Sequence, residues 1–253
     1  MTTGISPLVW AAPAAFVEPS VDEVHVWRSD LDAVADDDVE RLAGTLAADE
    51  RARADSFVFA PDRRRFIVGR AGLRSVLAGY LGIAPAAVAL GRTPQGRPTL
   101  TGAHAGALAF SVSRSAGLAL CAVTIGRDVG VDVERIMGGV AQDLLHDRVL
   151  SPAELTALRA LAPAARERAV FAVWTRKEAY AKARGLGLSL PFEQFTMTTD
   201  LGAAALVAAA DDDPLRWTLC DLEAGPGYAA ALAVEGTLGR VLAWEWTPAL
   251  TAR

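Results

Sequence analysis

The sequence predicts an α+β protein built from two pseudo-symmetric halves, each a long helix packed on a small, mainly antiparallel sheet. Two observations carry this. Each half runs from a long helical stretch into short strands. The two long helices start roughly a hundred residues apart, too far for a solenoid repeat and suited to two copies of one α+β unit. The glycines at 126 and 130 mark the seam. Residues 1–127 are therefore expected as an N-terminal half and 128–253 as a C-terminal half.

The elements follow in order. Residues 1–20 read as a lead-in, and Val21–Trp27 alternates as a strand does. Asp36–Ala48 reads as a helix with acids in its first turn. Pro61 opens a longer helix that stops at Gly82. Strands are expected at Ala87–Leu90, Leu108–Ser113, Gly117–Thr124 and Gly130–Arg135, the last three as a meander. In the second half, Ser151-Pro152-Ala153-Glu154 is a capping box with Pro at the first helical position. A second helix covers Ala164–Arg184 and ends at Gly185. Strands follow at Gln194–Thr199, Leu215–Leu222, Tyr228–Glu235 and Val241–Trp246.

Composition excludes several classes. With 253 residues, 52% of them hydrophobic, the chain is large enough to bury a core without staples. No apolar run approaches the ~20 residues of a membrane span. Met1–Pro13 lacks the positive region of a signal peptide. A net charge of -5 argues against nucleic acid as a partner. Cys121 and Cys220 lie far apart in apolar segments and read as reduced thiols of a cytoplasmic protein. His25, His104 and His146 show no zinc-ligand spacing.

Of the 25 basic residues only two are Lys, Lys177 and Lys182, and both lie in one short segment. The abundance of Ala, Arg and Gly indicates a codon bias that drifts Lys to Arg wherever either serves. A retained Lys is then expected to do what Arg cannot: give up a proton, or present a compact charge; chance clustering of two rare residues is the plainer alternative.

Three segments carry chemistry. In Gly130-Val131-Asp132-Val133-Glu134-Arg135, Asp132 and Glu134 sit two apart on a strand and share a face. Paired carboxylates with free positions suit Mg²⁺ held together with a phosphate; a solvated strand face is the plainer alternative. In Trp174–Lys182, Trp174, Glu178 and Lys182 fall at helical spacing on one face. Trp seeks burial, so this stripe reads as the edge of a pocket. Glu178 there would serve as a third carboxylate or a base, and Lys182 would neutralise or protonate an oxyanion; a Glu→Lys pair on a solvated helix face is the plainer alternative. Seven arginines at 51, 53, 63, 64, 65, 70 and 74 form a local positive surface suited to phosphates or an acidic partner, although some of them only solvate a helix.

Taken together, these segments resemble the phosphopantetheinyl transferases of the larger, surfactin-synthetase-activating type. Gly130–Ile136 is similar to that family's (I/V)G(I/V)D(I/V)E, and Trp174–Pro191 to its W-x-x-K-E-(A/S)-x-x-K-x-x-G-x-G-L-x-L-P. Gly96-Arg97-Pro98 is similar to its G-K-P turn, and Phe110–Gly117 to F-N-x-S-H-S-x-G. The resemblance spans residues 45–235 in consistent order. It implies a monomer of two α+β halves, with the active site in the cleft between them, that uses coenzyme A and Mg²⁺. It also implies transfer of the phosphopantetheine arm to a serine of an acyl or peptidyl carrier protein, with secondary metabolism the expected setting. By motif match, Asp132, Glu134 and Glu178 would hold Mg²⁺, with Asp132, Glu178 and Lys182 carrying the catalysis. Glu178 would be the candidate base, and Lys182 would steady or protonate the leaving phosphate. Lys177, Arg97 and Pro98 would contact the nucleotide or its phosphates. Arg53, Ser113 and Arg114 would lie near the phosphate on the ribose. Arg114 departs from the family's His, and Arg97 from its Lys. Both keep the charge, but an Arg at 114 forgoes any acid–base role.

Two other functions share parts of this pattern. A Mg²⁺-dependent phosphodiesterase of coenzyme A-like pyrophosphates would use the same carboxylates and release phosphopantetheine without a carrier. A non-catalytic module that only binds coenzyme A or a carrier protein would not need three carboxylates and Lys182 together.

Overall fold

Three apolar cores order the chain into four layers. A computed structural model describes residues 8–13, 15–139 and 145–252; residues 1–7 of the expected lead-in lie outside the described residues. The first half contains strand β1 (Glu23–Asp30), helices α1 (Asp36–Ala43), α2 (Ala48–Asp55) and α3 (Ala60–Leu81), and strands β2 (Leu90–Arg92), β3 (Pro98–Leu100), β4 (Ala109–Ser115) and β5 (Leu118–Thr124). The second half contains β6 (Val129–Arg135), α4 (Pro152–Ala160), α5 (Pro163–Ala183), β7 (Phe195–Met197), β8 (Leu206–Ala209), β9 (Trp217–Asp221), β10 (Tyr228–Glu235) and β11 (Arg240–Glu245).

The first sheet has the order β11-β1-β5-β4 and the second β6-β10-β9. Strand alternation explains the layers. Val24, Val26, Leu118, Leu120 and Ala122 face Val129, Val131, Val133, Leu232 and Val234, so the two sheets share one core. The opposite face of the first sheet, with Trp27, Cys121 and Val123, packs on Ile67, Leu73 and Leu77 of α3. The opposite face of the second, with Leu219, Ala231 and Ala233, packs on Val170, Val173 and Tyr180 of α5.

Four sequence expectations change. The strand expected at Ala87–Leu90 is preceded by a 3-10 turn over Pro85–Ala87 and starts only at Leu90. The helix expected at 36–48 ends at Ala43, and a second helix that the sequence pattern does not predict covers Ala48–Asp55. β6 does not extend a meander. It opens the second sheet and pairs with β10. β11, expected among the strands of the C-terminal half, pairs in parallel with β1, so the end of the chain returns to complete the first sheet. The antiparallel pairs β2 with β3 and β7 with β8 leave no mark in the sequence, because strands this short carry too little alternation to read.

Helix punctuation follows the sequence closely. Pro61 sits at the start of α3, and Gly82 caps its end in the left-handed region at φ 64°. Ser151 Oγ accepts the Glu154 N–H at 3.3 Å while Glu154 accepts the Ser151 N–H at 2.7 Å, the expected capping box. Gly185, at φ 70°, turns the chain out of α5.

The two halves repeat one buried device. Glu50, early in α2, accepts from Arg74 Nε at 2.6 Å, and Arg74 Nη1 donates to the carbonyls of Pro85 and Val88. Glu154, early in α4, lies 2.9 Å from Lys177 Nζ, which donates to the carbonyls of Phe192 and Phe195. Arg74 and Lys177 hold matching places in α3 and α5, which start at Ala60 and Pro163.

Candidate active site

One glycine sets the geometry. On β6, Val131 and Val133 turn to the shared core, so Gly130, Asp132 and Glu134 turn to α5. A Cβ built on Gly130 would lie 1.9 Å from the Ala179 carbonyl oxygen and 2.5 Å from the Ala183 nitrogen. Glycine alone lets the α5 backbone approach this closely. That approach brings Glu178 and Lys182 of α5 beside Asp132 and Glu134.

Asp132 is buried, 2% exposed. Its Oδ1 accepts from Lys182 Nζ at 2.6 Å and from Ser113 Oγ at 2.7 Å. Its Oδ2 is buried with no hydrogen-bond partner. Glu134 accepts from Ser115 Oγ at 2.6 Å. Burial pushes the Glu178 carboxyl up to about 7, and the charges of Asp132 and Glu134 add to that push while Lys182 opposes it. Burial raises Glu134 as well, against the Ser115 hydrogen bond. The cluster therefore carries more negative charge than its one ammonium balances.

These groups line a cleft of about 520 Å³. Its other wall comes from the first half: Phe66, Gly69 and Leu73 of α3, Cys121 of β5, and Arg114 of β4. Arg114 stacks over the Phe66 ring at 5.6 Å. Burial and the neighbouring Arg53 both lower its affinity for its proton. Arg53 stacks on Phe57, and neither Arg53 nor Arg114 has an ion-pair partner among the described residues. Asp62 opposes the shift at Arg114 from beyond ion-pair distance, and two neighbouring guanidiniums with no carboxylate in ion-pair contact are a ready site for an anion.

A smaller cleft of about 190 Å³ adjoins this one and shares Pro98, Val112 and Lys182 with it. It lies between the Gln95–Pro98 turn and Gly185 and Gly187. Arg97 reaches across it, donating to Asp128 at 3.0 Å. Gly185 and Gly187 thus do more than end the helix: they line this cleft.

The structure does not bring every expected residue to the cleft. Lys177 is fully buried in its ion pair with Glu154 and cannot reach a nucleotide. Its rarity has a different cause: three acceptors converge on one nitrogen, which suits a compact ammonium. Lys177→Met should therefore lower the unfolding free energy by about 3–5 kcal/mol, because it strands a buried carboxylate. Urea denaturation reads that loss, and substrate KM of the folded variant should stay at the parent value. Ser113 gives its hydroxyl proton to Asp132, so it is not a free donor to a phosphate. Trp174 packs on Phe192 and hydrogen-bonds Glu134, so it sits at the edge of the acidic cluster as its helical spacing predicts. Most of the Arg-rich surface is neutralised: Arg63, Arg64 and Arg65 pair with Asp55, Asp36 and Asp32, while Arg70 and Arg74 pair with Glu50.

Comparison with known proteins agrees with this arrangement. Residues 128–233 match the model of the 4'-phosphopantetheinyl transferase superfamily, and residues 34–125 that of the 4'-phosphopantetheinyl transferase N-terminal region. The chain is 39% identical over 216 residues to the 4'-phosphopantetheinyl transferase HetI of Nostoc sp., covering 85% of this chain and 89% of that one. The chain belongs to the 4'-phosphopantetheinyl transferase superfamily. It is a transferase of the larger, two-half type. It is also 28% identical over 161 residues to a 4'-phosphopantetheinyl transferase of Bacillus subtilis, covering 62% of this chain and 68% of that one. Similarity to the transferase Sfp of Bacillus subtilis strain 168 is 23% over 196 residues, covering 76% and 84%. Among the described residues, no helix of the transferase is long and apolar enough to cross a membrane.

Proposed function

We propose that this transferase takes its arm from coenzyme A and places it on a serine of an acyl or peptidyl carrier protein, with Mg²⁺ as cofactor. The observation that carries the proposal is the meeting of Asp132, Glu134, Glu178 and Lys182 on one wall of a cleft whose opposite wall bears Arg114. Among the described residues, no three acidic, imidazole or thiol groups are already gathered as a formed metal site. The residues nonetheless fit Mg²⁺. The donors are all oxygens, Asp132 Oδ2 is buried and unpartnered, and Glu178 and Glu134 are pushed toward holding protons by burial and, less, by neighbouring carboxylate charge, a push that a cation would oppose.

In this reading Asp132, Glu134 and Glu178 hold the cation, which when bound neutralises charge on the pyrophosphate. Arg97 and Pro98 border the nucleotide in the smaller cleft, and Arg53 and Arg114 clamp the ribose phosphate. The N-terminal half thus supplies the nucleotide contacts, and the C-terminal half supplies the acidic site. The carrier's serine oxygen attacks the phosphorus that bears the pantetheine arm. Its proton passes to Glu178, directly or through a water, and the bond to the leaving bisphosphate breaks. Lys182 meets the charge that builds on that leaving oxygen and can return a proton to it. The free, buried cysteines suit a reducing compartment, and we place the transferase in the cytoplasm as a monomer.

Lys182 already bonds Asp132, so Lys182→Arg should keep coenzyme A affinity within a few-fold. It should lower kcat by about 10²-fold, since a guanidinium pairs with the leaving oxygen but gives up no proton. Steady-state kinetics that show a parent-like kcat would leave Lys182 as a charge only. The whole reading is tested by following coenzyme A with Mg²⁺ present, with and without an apo carrier protein. Adenosine bisphosphate should appear only when the carrier is present. Its release without a carrier would favour the phosphodiesterase, and no release in either case would favour the binding module.

A further inference from the structure

Strand β4 reads Ala-Phe-Ser-Val-Ser-Arg-Ser over Ala109–Ser115, and its alternation separates two faces. Phe110 and Val112 pack into the core beneath α3, and Arg114 stacks over Phe66 of the same helix. Ser111, Ser113 and Ser115 turn the other way, to β6. The two strands belong to different sheets, yet they run alongside each other in the same direction. Serine hydroxyls bridge them. Ser111 Oγ accepts the Val131 N–H at 3.1 Å, and Ser115 Oγ accepts the Arg135 N–H at 3.0 Å. Ser113 Oγ donates to Asp132 Oδ1, and Ser115 Oγ donates to Glu134 Oε2.

We propose that Ser113 and Ser115 are positioning residues: they aim Asp132 and Glu134 at the cation, so the seam between the halves is also the outer frame of the acidic site. The proposal rests on the reading of those two carboxylates as cation holders. A serine hydroxyl carries one proton, and each of these is committed to a carboxylate. Ser113 and Lys182 converge on the same oxygen of Asp132, which fixes the carboxylate plane and leaves Oδ2 without a partner. Ser115 is held by the backbone of the very strand whose Glu134 it holds, so its hydroxyl direction is set before any ligand arrives. Ser111 makes the same kind of seam bond but touches no carboxylate. It therefore separates a role in joining the strands from a role in aiming the acids.

The test measures Mn²⁺ uptake by the protein without coenzyme A, read as loss of the free-ion electron paramagnetic resonance signal, beside the thermal midpoint of each variant. Mn²⁺ shares the preference of Mg²⁺ for oxygen ligands in octahedral array. Ser113→Ala and Ser115→Ala should each weaken Mn²⁺ binding by about 10–100-fold, the usual effect of removing an outer partner of a ligand. Ser111→Ala should lower the thermal midpoint but change Mn²⁺ affinity by less than about threefold, because no ligand loses its partner. Ser115→Thr, which keeps the hydroxyl, should bind as the parent does. If an alanine variant does not fold, Ser113→Cys, close in size and a weaker donor, should shift affinity the same way. A parent that binds Mn²⁺ while Ser113→Ala and Ser115→Ala match it overturns the proposal. So does a Ser111→Ala loss as large as theirs. A parent that takes up no Mn²⁺ overturns the cation reading itself, and the positioning role with it.

Discussion

Asp132→Asn should fold like the parent and lose transfer by about 10³-fold, the upper end of what one preorganised electrostatic contact supplies. Asn keeps the volume and leaves an oxygen for the Ser113 hydroxyl, so the seam stays closed. Stability should hardly move, for two opposing reasons. The substitution removes a buried negative charge, which favours folding, although the amide nitrogen that replaces Oδ2 is as unpartnered as the oxygen was. It also unpairs Lys182, but that side chain is 27% exposed and water can reach it. Activity and stability therefore separate at this position. In a calorimetric titration Mg²⁺ should tighten coenzyme A binding to the parent and not to the variant. A variant that keeps full transfer would remove Asp132 from the cation site.

Gly130→Ala should do the reverse and damage the fold first. The added Cβ falls 1.9 Å from a helix carbonyl and 2.5 Å from a helix nitrogen, where no side chain can swing aside. Either β6 or α5 must move. Overpacking of a core costs about 1–3 kcal/mol, and a clash with backbone on both sides belongs at or above the top of that range. Any variant that folds has α5 lifted off β6, so Glu178 and Lys182 no longer meet Asp132. A displacement of about 1 Å at reacting groups costs about 10²-fold in rate. Chemical denaturation and turnover should both fall. A parent-like midpoint would mean that the two elements tolerate a wider separation.

How much of this was readable in the sequence varied by element. The long helices announced themselves through Pro61, Gly82, the Ser151–Glu154 box and Gly185, because caps act locally and leave local marks. Asp132, Glu134, Glu178 and Lys182 were found from spacing, since strand and helix periods dictate which side chains share a face. Lys177 was misplaced for the opposite reason. Its partners, Glu154 and the carbonyls of Phe192 and Phe195, are distant in sequence, and the helical period says nothing about them. β11 was expected in the wrong half because strand pairing across more than two hundred residues leaves no local trace. The serines of β4 did carry a signal in their strict alternation with Phe110, Val112 and Arg114. The pattern showed which face they took, but not that β6 would meet that face.

The most direct test is the intact mass of an apo carrier protein incubated with this transferase and coenzyme A, in Mg²⁺ and again with a chelator. The carrier should gain the mass of one phosphopantetheine arm on its serine in Mg²⁺ and stay apo with chelator. An unmodified carrier in Mg²⁺, or equal modification in both, would contradict a cation-dependent transfer at Asp132, Glu134 and Glu178.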